Sequence, residues 1–230
     1  MILPPVMTTG DMGKKRAAEA AIAEVTNGML VGLGTGSTAA FAISGLGARI
    51  AREGLKIRAA GTSLATETAA RAAGIPFLAF DDLAAVDLCI DGADEIDSRF
   101  RAIKGGGGAM LREKIVASAA TRMICIVDAS KPVETLARPL PIEVLPFARA
   151  FVEQAIRDLG GDPAVRAAPS DQGNLLIDCA FGPIADPEGL ARTLDAIPGL
   201  LGHGLFLSEI DALYIGDETS VECRERQDHP

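Results

Sequence analysis

The stretch Val86-Asp-Leu-Cys-Ile-Asp91-Gly-Ala-Asp94-Glu-Ile-Asp97 contains the pattern that decides the fold. Its apolar run predicts a buried strand, and acidic residues follow that strand at once. A second stretch, Lys104-Gly-Gly-Gly-Gly108-Ala-Met-Leu-Arg-Glu113-Lys, lies shortly after it. Together the two stretches supply carboxylates to move protons, a cation to polarise an oxygen and backbone amides to hold an anion. Chemistry at a weakly acidic carbon needs these groups.

The same arrangement, a short apolar run followed by polar residues, recurs along the first half of the chain. Predicted strands lie at 29–33, 57–61, 77–80, 86–90 and 122–127, and predicted helices at 13–25, 39–52, 62–73 and 109–120. This alternation predicts a Rossmann-like, doubly wound parallel sheet of the α/β class. Ligands bind such sheets beyond the carboxyl ends of the strands. We therefore expect the polar segments 34–38, 62–66, 91–94 and 128–131 to share one edge.

After Pro132 the order of the elements changes. Predicted strands lie at 139–147, 164–168, 174–181 and 200–206, with helices at 148–159 and 187–197. The order βαββαβ is that of a ferredoxin-like unit. We predict a small α+β domain at 138–206, inserted into a catalytic domain formed by 1–137 plus 207–230 that resumes with a strand at 212–215. The arm at 1–12 and the charged tail from 220 are expected to be loose.

Composition excludes several classes of protein. The 230 residues are 48% hydrophobic with a formal net charge of −9, and no basic cluster suited to nucleic acid is present. No apolar stretch is long enough to cross a bilayer, so we expect no membrane partner and a cytoplasmic protein. The four cysteines, Cys89, Cys125, Cys179 and Cys223, have no metal-binding spacing and are expected to be reduced structural thiols.

The segment Gly34-Thr-Gly-Ser-Thr38 leaves two interpretations open. It places hydroxyls and free amides at a helix N-terminus, where a phosphate is favoured. It is also compatible with a tight strand-to-helix turn with a Ser or Thr cap. The P-loop and dinucleotide-binding patterns are both absent, because neither the required Gly-Lys-Ser/Thr nor the third glycine is present.

The acidic and glycine-rich segments have structural alternatives of their own. Asp91 and Asp94 form either a rigid pair at the sheet edge or a solvated acidic loop, and their spacing does not match an EF-hand metal site. Four glycines after Lys104 favour an anion-binding nest over a plain connector, because ordering them is costly. Glu113 falls opposite Leu111 and Ile115 on its helix, so we expect it to point away from the core face of that helix.

These segments, in this order, resemble the type A ribose-5-phosphate isomerase family. The resemblance extends from Lys14 to about Gly216. It rests on Gly-Thr-Gly-Ser-Thr at 34–38, Thr-Ser at 62–63, Asp-Gly-Ala-Asp-Glu-Ile-Asp at 91–97, Lys-Gly-Gly-Gly at 104–107, Arg-Glu-Lys at 112–114, Asp-Ala-Ser-Lys at 128–131 and Gly-Leu-Phe at 204–206. It implies the interconversion of D-ribose 5-phosphate and D-ribulose 5-phosphate, without metal or organic cofactor, by a homodimer or homotetramer.

The resemblance also implies roles for single residues. The resemblance implies Glu113 as the proton acceptor, with Lys104, Asp91 and Asp94 around the sugar. As a mechanistic hypothesis we assign Lys104 as the electrophile, Asp91 to opening the sugar ring and Asp94 to orienting hydroxyls. The implied substrate-binding residues are Lys14, Thr35, Gly36, Ser37, Thr38, Asp91, Gly92, Ala93, Asp94, Lys104, Gly105, Gly106, Gly107 and Lys131. The division of labour between Asp91 and Asp94 stays open, and so does the choice of Lys14 or Lys15 at the phosphate.

Rival functions on comparable sheets make different demands on the sequence. The effector domain of a transcription regulator would bring a helix-turn-helix and a basic face, and neither is present. An amino-sugar-phosphate deaminase would need a histidine near the base. An acyl-coenzyme A transferase would need a glutamate nucleophile and a much larger cleft.

Overall fold

The computed structural model describes residues 8–227 of the chain. Within that range the α-helices are α1 (Thr9–Ala23), α2 (Ser37–Glu53), α3 (Leu64–Ala72), α4 (Met110–Ser118), α5 (Arg149–Asp158) and α6 (Pro187–Asp195). The strands are β1 (Leu30–Leu33), β2 (Arg58–Gly61), β3 (Leu88–Asp91), β4 (Glu95–Ile96), β5 (Ala102–Ile103), β6 (Met123–Asp128), β7 (Leu140–Val144), β8 (Asp162–Val165), β9 (Leu175–Ala180), β10 (Leu200–His203), β11 (Leu205–Phe206), β12 (Ala212–Gly216) and β13 (Val221–Glu225). Short 3₁₀ helices span Phe80–Asp82 and Pro146–Ala148.

The largest sheet has the strand order β13-β12-β6-β3-β1-β2. The strands from β12 to β2 pair in parallel, and β13 pairs antiparallel to β12. Side chains alternate between the two faces: Ile124 and Ile126 of β6 pack with α1 and α2, whereas Cys125 and Val127 pack beside α4. Helices therefore cover both faces, which confirms the predicted doubly wound α/β class.

A second, antiparallel sheet has the strand order β10-β7-β9-β8, with α5 and α6 packed on one of its faces. Along the chain its elements run β7-α5-β8-β9-α6-β10, which confirms the ferredoxin-like order. Its apolar face is built by Leu140, Ile142 and Val144 of β7, which alternate with residues of the opposite face. All of these elements fall inside 138–206, although the exact domain boundaries stay a prediction.

A third, small sheet, β11-β5-β4, joins the other two and was not predicted. The predicted strand at 200–206 divides at Gly204, because residues 200–203 pair with β7 whereas 205–206 pair with β5. Lys104 follows β5 directly, and its backbone N–H donates to the carbonyl of Gly204 at 2.9 Å. These two-residue strands therefore fix the backbone position of Lys104.

Three segments differ from the prediction. Residues 77–80 are not a strand, because only Phe77 bridges to Ala59 before the chain turns into a 3₁₀ helix. The tail is not loose over Val221–Glu225, where pairing with β12 and an ion pair of 2.7 Å between Arg122 and Glu225 hold β13. Helix α1 starts at Thr9 and so includes most of the described part of the predicted arm. Residues 1–7 and 228–230 lie outside the described residues.

The cysteines are free thiols, as predicted. Cys89, Cys125 and Cys179 are buried in β3, β6 and β9, and Cys223 is exposed on β13. Burial raises the pKa of Cys125 to about 12, which keeps that thiol protonated and unreactive. Between residues 8 and 227, no helix combines the length and the apolar character needed to span a bilayer.

Candidate active site

A buried ammonium group, that of Lys104, joins two carboxylates at the centre of the site. Its Nζ lies 2.8 Å from Oδ2 of Asp91 and 3.4 Å from Oε2 of Glu113, and it also donates to the carbonyl oxygen of Gly92. The exposed fractions of Lys104, Asp91 and Glu113 are 2%, 1% and 4%. Because two carboxylates share one cation away from water, proton uptake by a carboxylate is favoured.

Burial and charge act differently on Glu113 and on Lys104. Burial raises the pKa of Glu113 to about 7, although the Lys104 ammonium opposes that rise. Burial alone would lower the pKa of Lys104, but the carboxylates of Asp91 and Glu113 more than offset it, so that pKa lies above its ordinary value. Lys104 is therefore a permanent cation, while Glu113 changes protonation state near neutral pH.

Glu113 lies on the buried face of α4, beside Met110 and Val116. The prediction that it points away from the core face of this helix was wrong. The reason is that Ile115 does not mark that face, since it is 47% exposed. The Oε2 atom of Glu113 is buried and accepts no hydrogen bond from any residue between 8 and 227, so the Lys104 ammonium is its near polar neighbour.

Asp91, the last residue of β3, connects Lys104 to the polar segment after β1. Its Oδ1 accepts hydrogen bonds from the backbone N–H of Thr35 at 3.2 Å and of Gly92 at 2.7 Å. A Cβ at position 34 would overlap the Asp91 carboxylate, so only glycine permits this close approach. Asp91 therefore holds the backbone of 34–38 beside the Lys104 cluster.

Hydroxyl groups tie the end of β1 to the end of β2. The Oγ1 of Thr35 lies 2.7 Å from Oγ1 of Thr62 and 2.9 Å from Oγ of Ser63. The hydroxyl of Thr66 closes the network by donating to the carbonyl of Gly34 at 2.8 Å. This network makes the start of α2 a rigid wall of the site.

The glycine loop, defined here as residues 105–108, forms a tight turn against Asp94. The N–H of Gly106 donates to Oδ2 of Asp94 at 2.8 Å, and the N–H of Gly108 donates to the carbonyl of Gly105 at 3.0 Å. Gly105 and Gly108 have φ values of 107° and 81°, which residues with a side chain rarely adopt. Within residues 8–227 the N–H of Gly107 donates no hydrogen bond, so it can bind a ligand.

Two lysines bring positive charge to the opposite side of the site. Nζ of Lys14 donates to the hydroxyl of Ser37 at 3.2 Å, at the first turn of α2. Lys15 instead points to Glu19 on the exposed side of α1, at 3.7 Å. Lys131 lies just beyond the end of β6. The Lys14 ammonium beside the N-terminus of α2 forms a favourable place for an anion, and Lys131 lines the same pocket.

These groups line one open pocket of about 500 Å³, including its mouth. The lining residues are Lys14, Thr35, Gly36, Ser37, Thr38, Gly92, Ala93, Asp94, Lys104, Gly105, Gly106, Gly107, Glu113 and Lys131. Every residue predicted to bind substrate is therefore in the wall, with the exception of Asp91, which is buried behind Lys104. The pocket contains Lys14 and not Lys15.

Sequence reasoning missed one side chain at this site, that of Arg166. Its guanidinium donates to the carbonyls of Gly105 and Gly106, at 2.9 Å and 3.3 Å. No local pattern marks it, because Arg166 follows β8 of the second sheet and reaches the glycine loop only in the folded chain. Between residues 8 and 227, no group of three or more His, Cys, Asp or Glu side chains is placed to hold a metal ion.

Comparison with known proteins gives a consistent result. The sequence pattern of ribose 5-phosphate isomerase A (phosphoriboisomerase A) matches residues 58–220. The ribose-5-phosphate isomerase A of Sphingopyxis alaskensis is 52% identical over 219 residues, which cover 93% of this chain and 96% of that protein. The one from Methanosarcina acetivorans is 48% identical over 219 residues, which cover 92% and 93% of the two chains.

Solved structures give the same result. Ribose 5-phosphate isomerase A from Methanocaldococcus jannaschii superimposes with a TM-score of 0.88 at 36% identity, covering 94% of this chain and 98% of that one. A D-ribose-5-phosphate isomerase in complex with phospho-erythronic acid superimposes with a TM-score of 0.91 at 34% identity, covering 96% and 100%. The chain therefore belongs to the ribose 5-phosphate isomerase A family, and it is an isomerase that interconverts D-ribose 5-phosphate and D-ribulose 5-phosphate.

Proposed function

We propose that this isomerisation proceeds through an enediolate, with Glu113 as the base and Lys104 as the electrophile. The observation that carries the proposal is the 3.4 Å approach of Lys104 Nζ to Glu113 Oε2 at the base of the pocket. A base with a pKa of about 7 is half deprotonated at neutral pH, where proton transfer in both directions is efficient. A buried cation stabilises a developing oxyanion better than water does.

In the aldose-to-ketose direction, Glu113 takes the proton from C2. The electrons of that C–H bond form the C1–C2 double bond, and the carbonyl oxygen at C1 gains negative charge beside Lys104. Glu113 then returns its proton to C1, while the C2 hydroxyl loses a proton and O1 gains one. The reverse order of steps converts the ketose into the aldose.

The phosphate of the sugar takes no part in bond making. We assign it to the cationic side of the pocket, where Lys14, Lys131 and the first turn of α2 with Ser37 are available. One solved relative is in complex with phospho-erythronic acid, a phosphate on a short carbon chain, which is consistent with a pocket that accepts a sugar phosphate. Binding energy from the phosphate fixes the reacting carbons against the base.

Asp94 and Asp91 divide the remaining work. Asp94 lines the pocket, where its carboxylate is available to orient sugar hydroxyls. Asp91 lies behind the pocket wall, 2.8 Å from Lys104 and 3.2 Å from the N–H of Thr35, so we keep its role in opening the sugar ring as a proposal without a proton relay through Lys104. Its second role is to keep Lys104 charged.

Replacement of Glu113 by glutamine tests the assignment of the base. We expect turnover of ribose 5-phosphate to fall by at least about a hundredfold, because general-base catalysis is worth about 10²- to 10⁴-fold. Lys104→Ala should also lose turnover. Glu95→Gln should lose much less, since Glu95 accepts hydrogen bonds from the backbone of 137 and 138, away from the pocket. Ketose formation is followed by absorbance with a chelator present, and near wild-type turnover of Glu113→Gln would overturn the assignment.

We also propose that the enzyme is a cytoplasmic homodimer or homotetramer and that residues 138–206 form a separate domain. Exposed apolar side chains support an assembly: Phe147 is 96% exposed, and Leu145 and Phe151 near it are also exposed. Large exposed apolar side chains in one region are typical of surfaces that contact another protein.

A further inference from the structure

The glycine loop needs support from outside itself. A run of four glycines loses more backbone entropy on ordering than any other four residues, so it does not hold one conformation unaided. Of its amides, that of Gly106 bonds to Asp94 and that of Gly108 closes the turn. The carbonyls of Gly105 and Gly106 accept hydrogen bonds from Arg166, which directly follows β8 of the ferredoxin-like unit.

Arg166 is itself held in a fixed orientation. Its Nε and Nη2 donate to the two carboxylate oxygens of Asp178 on β9, at 2.9 Å and 2.6 Å. This two-point geometry fixes the plane of the guanidinium and leaves Nη1 free to reach the carbonyls of Gly105 and Gly106. The ion pair thus holds Arg166 of the second sheet in a fixed orientation, in which Nη1 donates hydrogen bonds to the glycine loop.

The peptide unit between Gly105 and Gly106 is gripped at both ends. Its carbonyl accepts from Arg166, and its N–H donates to Asp94, which lines the pocket. In the next peptide unit the carbonyl of Gly106 also accepts from Arg166. Because a trans peptide directs its N–H opposite to its C=O, the N–H of Gly107 is turned away from Arg166.

We propose that Arg166, held by Asp178, is a positioning residue that sets the orientation of the glycine-loop amides, and in particular directs the N–H of Gly107 into the pocket. The ferredoxin-like unit thereby takes part in catalysis without touching the substrate. The inference rests on the proposed role of the loop in holding the sugar and its developing charge.

The loop of the same unit between β8 and β9 makes two further contacts around the site. Oδ2 of Asp171 accepts from the N–H of Leu64 at the start of α3, at 2.8 Å. The amide of Gln172 faces the guanidinium of Arg112, next to Glu113 in sequence. These contacts hold the unit against the catalytic sheet at points separate from Arg166, so removal of Arg166 alone should leave the two units docked.

Steady-state kinetics of Arg166→Gln and Asp178→Asn test the proposal. A lost oxyanion donor costs about 10²- to 10³-fold in kcat, and a misdirected one less, so we expect kcat to fall about 10- to 100-fold in both variants. KM for ribose 5-phosphate should stay within about threefold, because the phosphate contacts are untouched. The kcat of Arg166→Lys should lie between those of the wild type and of Arg166→Gln, since an ammonium keeps the charge and loses the two-point geometry.

A matched control breaks an ion pair that joins the two units at a place away from the pocket. Glu188 of α6 lies 3.2 Å from Arg101, away from the pocket, and Glu188→Gln should leave kcat unchanged. A merely structural role of Arg166 would instead lower the melting temperature with kcat intact. If Arg166→Gln does not fold, the kcat values of Asp178→Asn and Arg166→Lys test the proposal instead.

Combining Arg166→Gln with Asp94→Asn provides the decisive readout. Because both side chains hold the same peptide unit, the combined loss in kcat should be clearly smaller than the product of the two single losses. Multiplying losses, an unchanged kcat in Arg166→Gln, or an equal loss in Glu188→Gln would overturn the proposal. Near wild-type turnover of Glu113→Gln would instead refute the proposed function, so the two failures are distinguishable.

Discussion

At the scale of single residues, the proposed chemistry depends on one cation that contacts two buried carboxylates. Lys104 stays charged because Asp91 and Glu113 are close to it, and the pKa of Glu113, the proposed base, rises to about 7 because burial outweighs that charge. The identities of Lys104 and Glu113 were predictable from the ordered motifs. The orientation of Glu113 and the placement of Asp91 behind Lys104 were not, because they depend on how α4 packs against the sheet.

The pH dependence of the reaction tests this electrostatic balance. Only the deprotonated form of Glu113 can take a proton, so kcat/KM should fall as the pH drops through about 7 rather than through the ordinary value near 4.5. In Lys104→Met the burial stays and the opposing charge is gone. The acidic limb should therefore move up by about 1 unit or more.

The dependence of kcat/KM on pH between pH 5 and 9 gives the pKa of Glu113 in the wild type and in Lys104→Met. Where turnover is slow, NMR titration of the Glu113 carboxyl carbon supports that value. Lys114→Met is a matched control, because Lys114 follows Glu113 in the sequence but its ammonium pairs with Glu209, at 3.9 Å, instead of with Glu113. Its acidic limb should stay near that of the wild type. An acidic limb of Lys104→Met at or below the wild-type value would contradict the account.

At the scale of elements, α1 brings Lys14 to the pocket by packing unusually close to the sheet. A Cβ at Gly13 would overlap the carbonyl oxygen of Gly216 at the end of β12, and one at Gly216 would overlap Gly13. Strands such as β3 could be predicted from their apolar runs. Strand β5 could not be predicted, because its two residues carry no periodicity. Strand β13 could not be predicted either, because it is a charged edge strand that forms only by pairing with β12.

Gly13→Ala tests the close approach of α1. The added methyl forces the helix off the sheet, so we expect a loss of about 1–3 kcal/mol in the free energy of unfolding. KM for ribose 5-phosphate should rise about tenfold, because Lys14 moves with the helix and its contact with the phosphate is lost. The loss of one charge-assisted hydrogen bond weakens binding by about that factor.

Gly10→Ala on the same helix is the matched control, since a Cβ there meets only the hydroxyl of Thr8 at 3.9 Å. That variant should keep its KM and be equally or slightly more stable, because alanine favours a helix. Denaturant melts and initial rates measure both variants. An unchanged KM and stability in Gly13→Ala would show that the contact has no such role.

At the scale of the whole molecule, two units of different architecture share one site. The doubly wound sheet supplies Glu113, Lys104 and the proposed phosphate side of the pocket, and the ferredoxin-like unit supplies Arg166 to the glycine loop. A link away from the pocket joins Arg101 to Glu188 of α6. The order of elements made both units predictable. Their contacts were not, because they connect residues far apart in the chain.

The mass of the particle in solution belongs to this scale. The chain has a mass of 23.8 kDa, so the proposed dimer or tetramer should scatter light as a particle of two or four times that mass. Phe147→Ser should shift the particle towards smaller species if the exposed apolar side chains of Leu145, Phe147 and Phe151 form a contact between copies. A wild-type particle of one chain at micromolar concentration would contradict the proposed assembly.

In the proposed mechanism, the carboxylate of Glu113 carries the proton between C2 and C1. Proton NMR of ribose 5-phosphate in heavy water measures this transfer, because a proton that passes through a carboxylate exchanges in part with solvent. We predict that the wild-type enzyme places deuterium on C2 of the aldose and C1 of the ketose, and that Glu113→Gln does so at least about a hundredfold more slowly. Exchange at the wild-type rate in Glu113→Gln, or isomerisation by the wild type with no deuterium on carbon, would contradict the account.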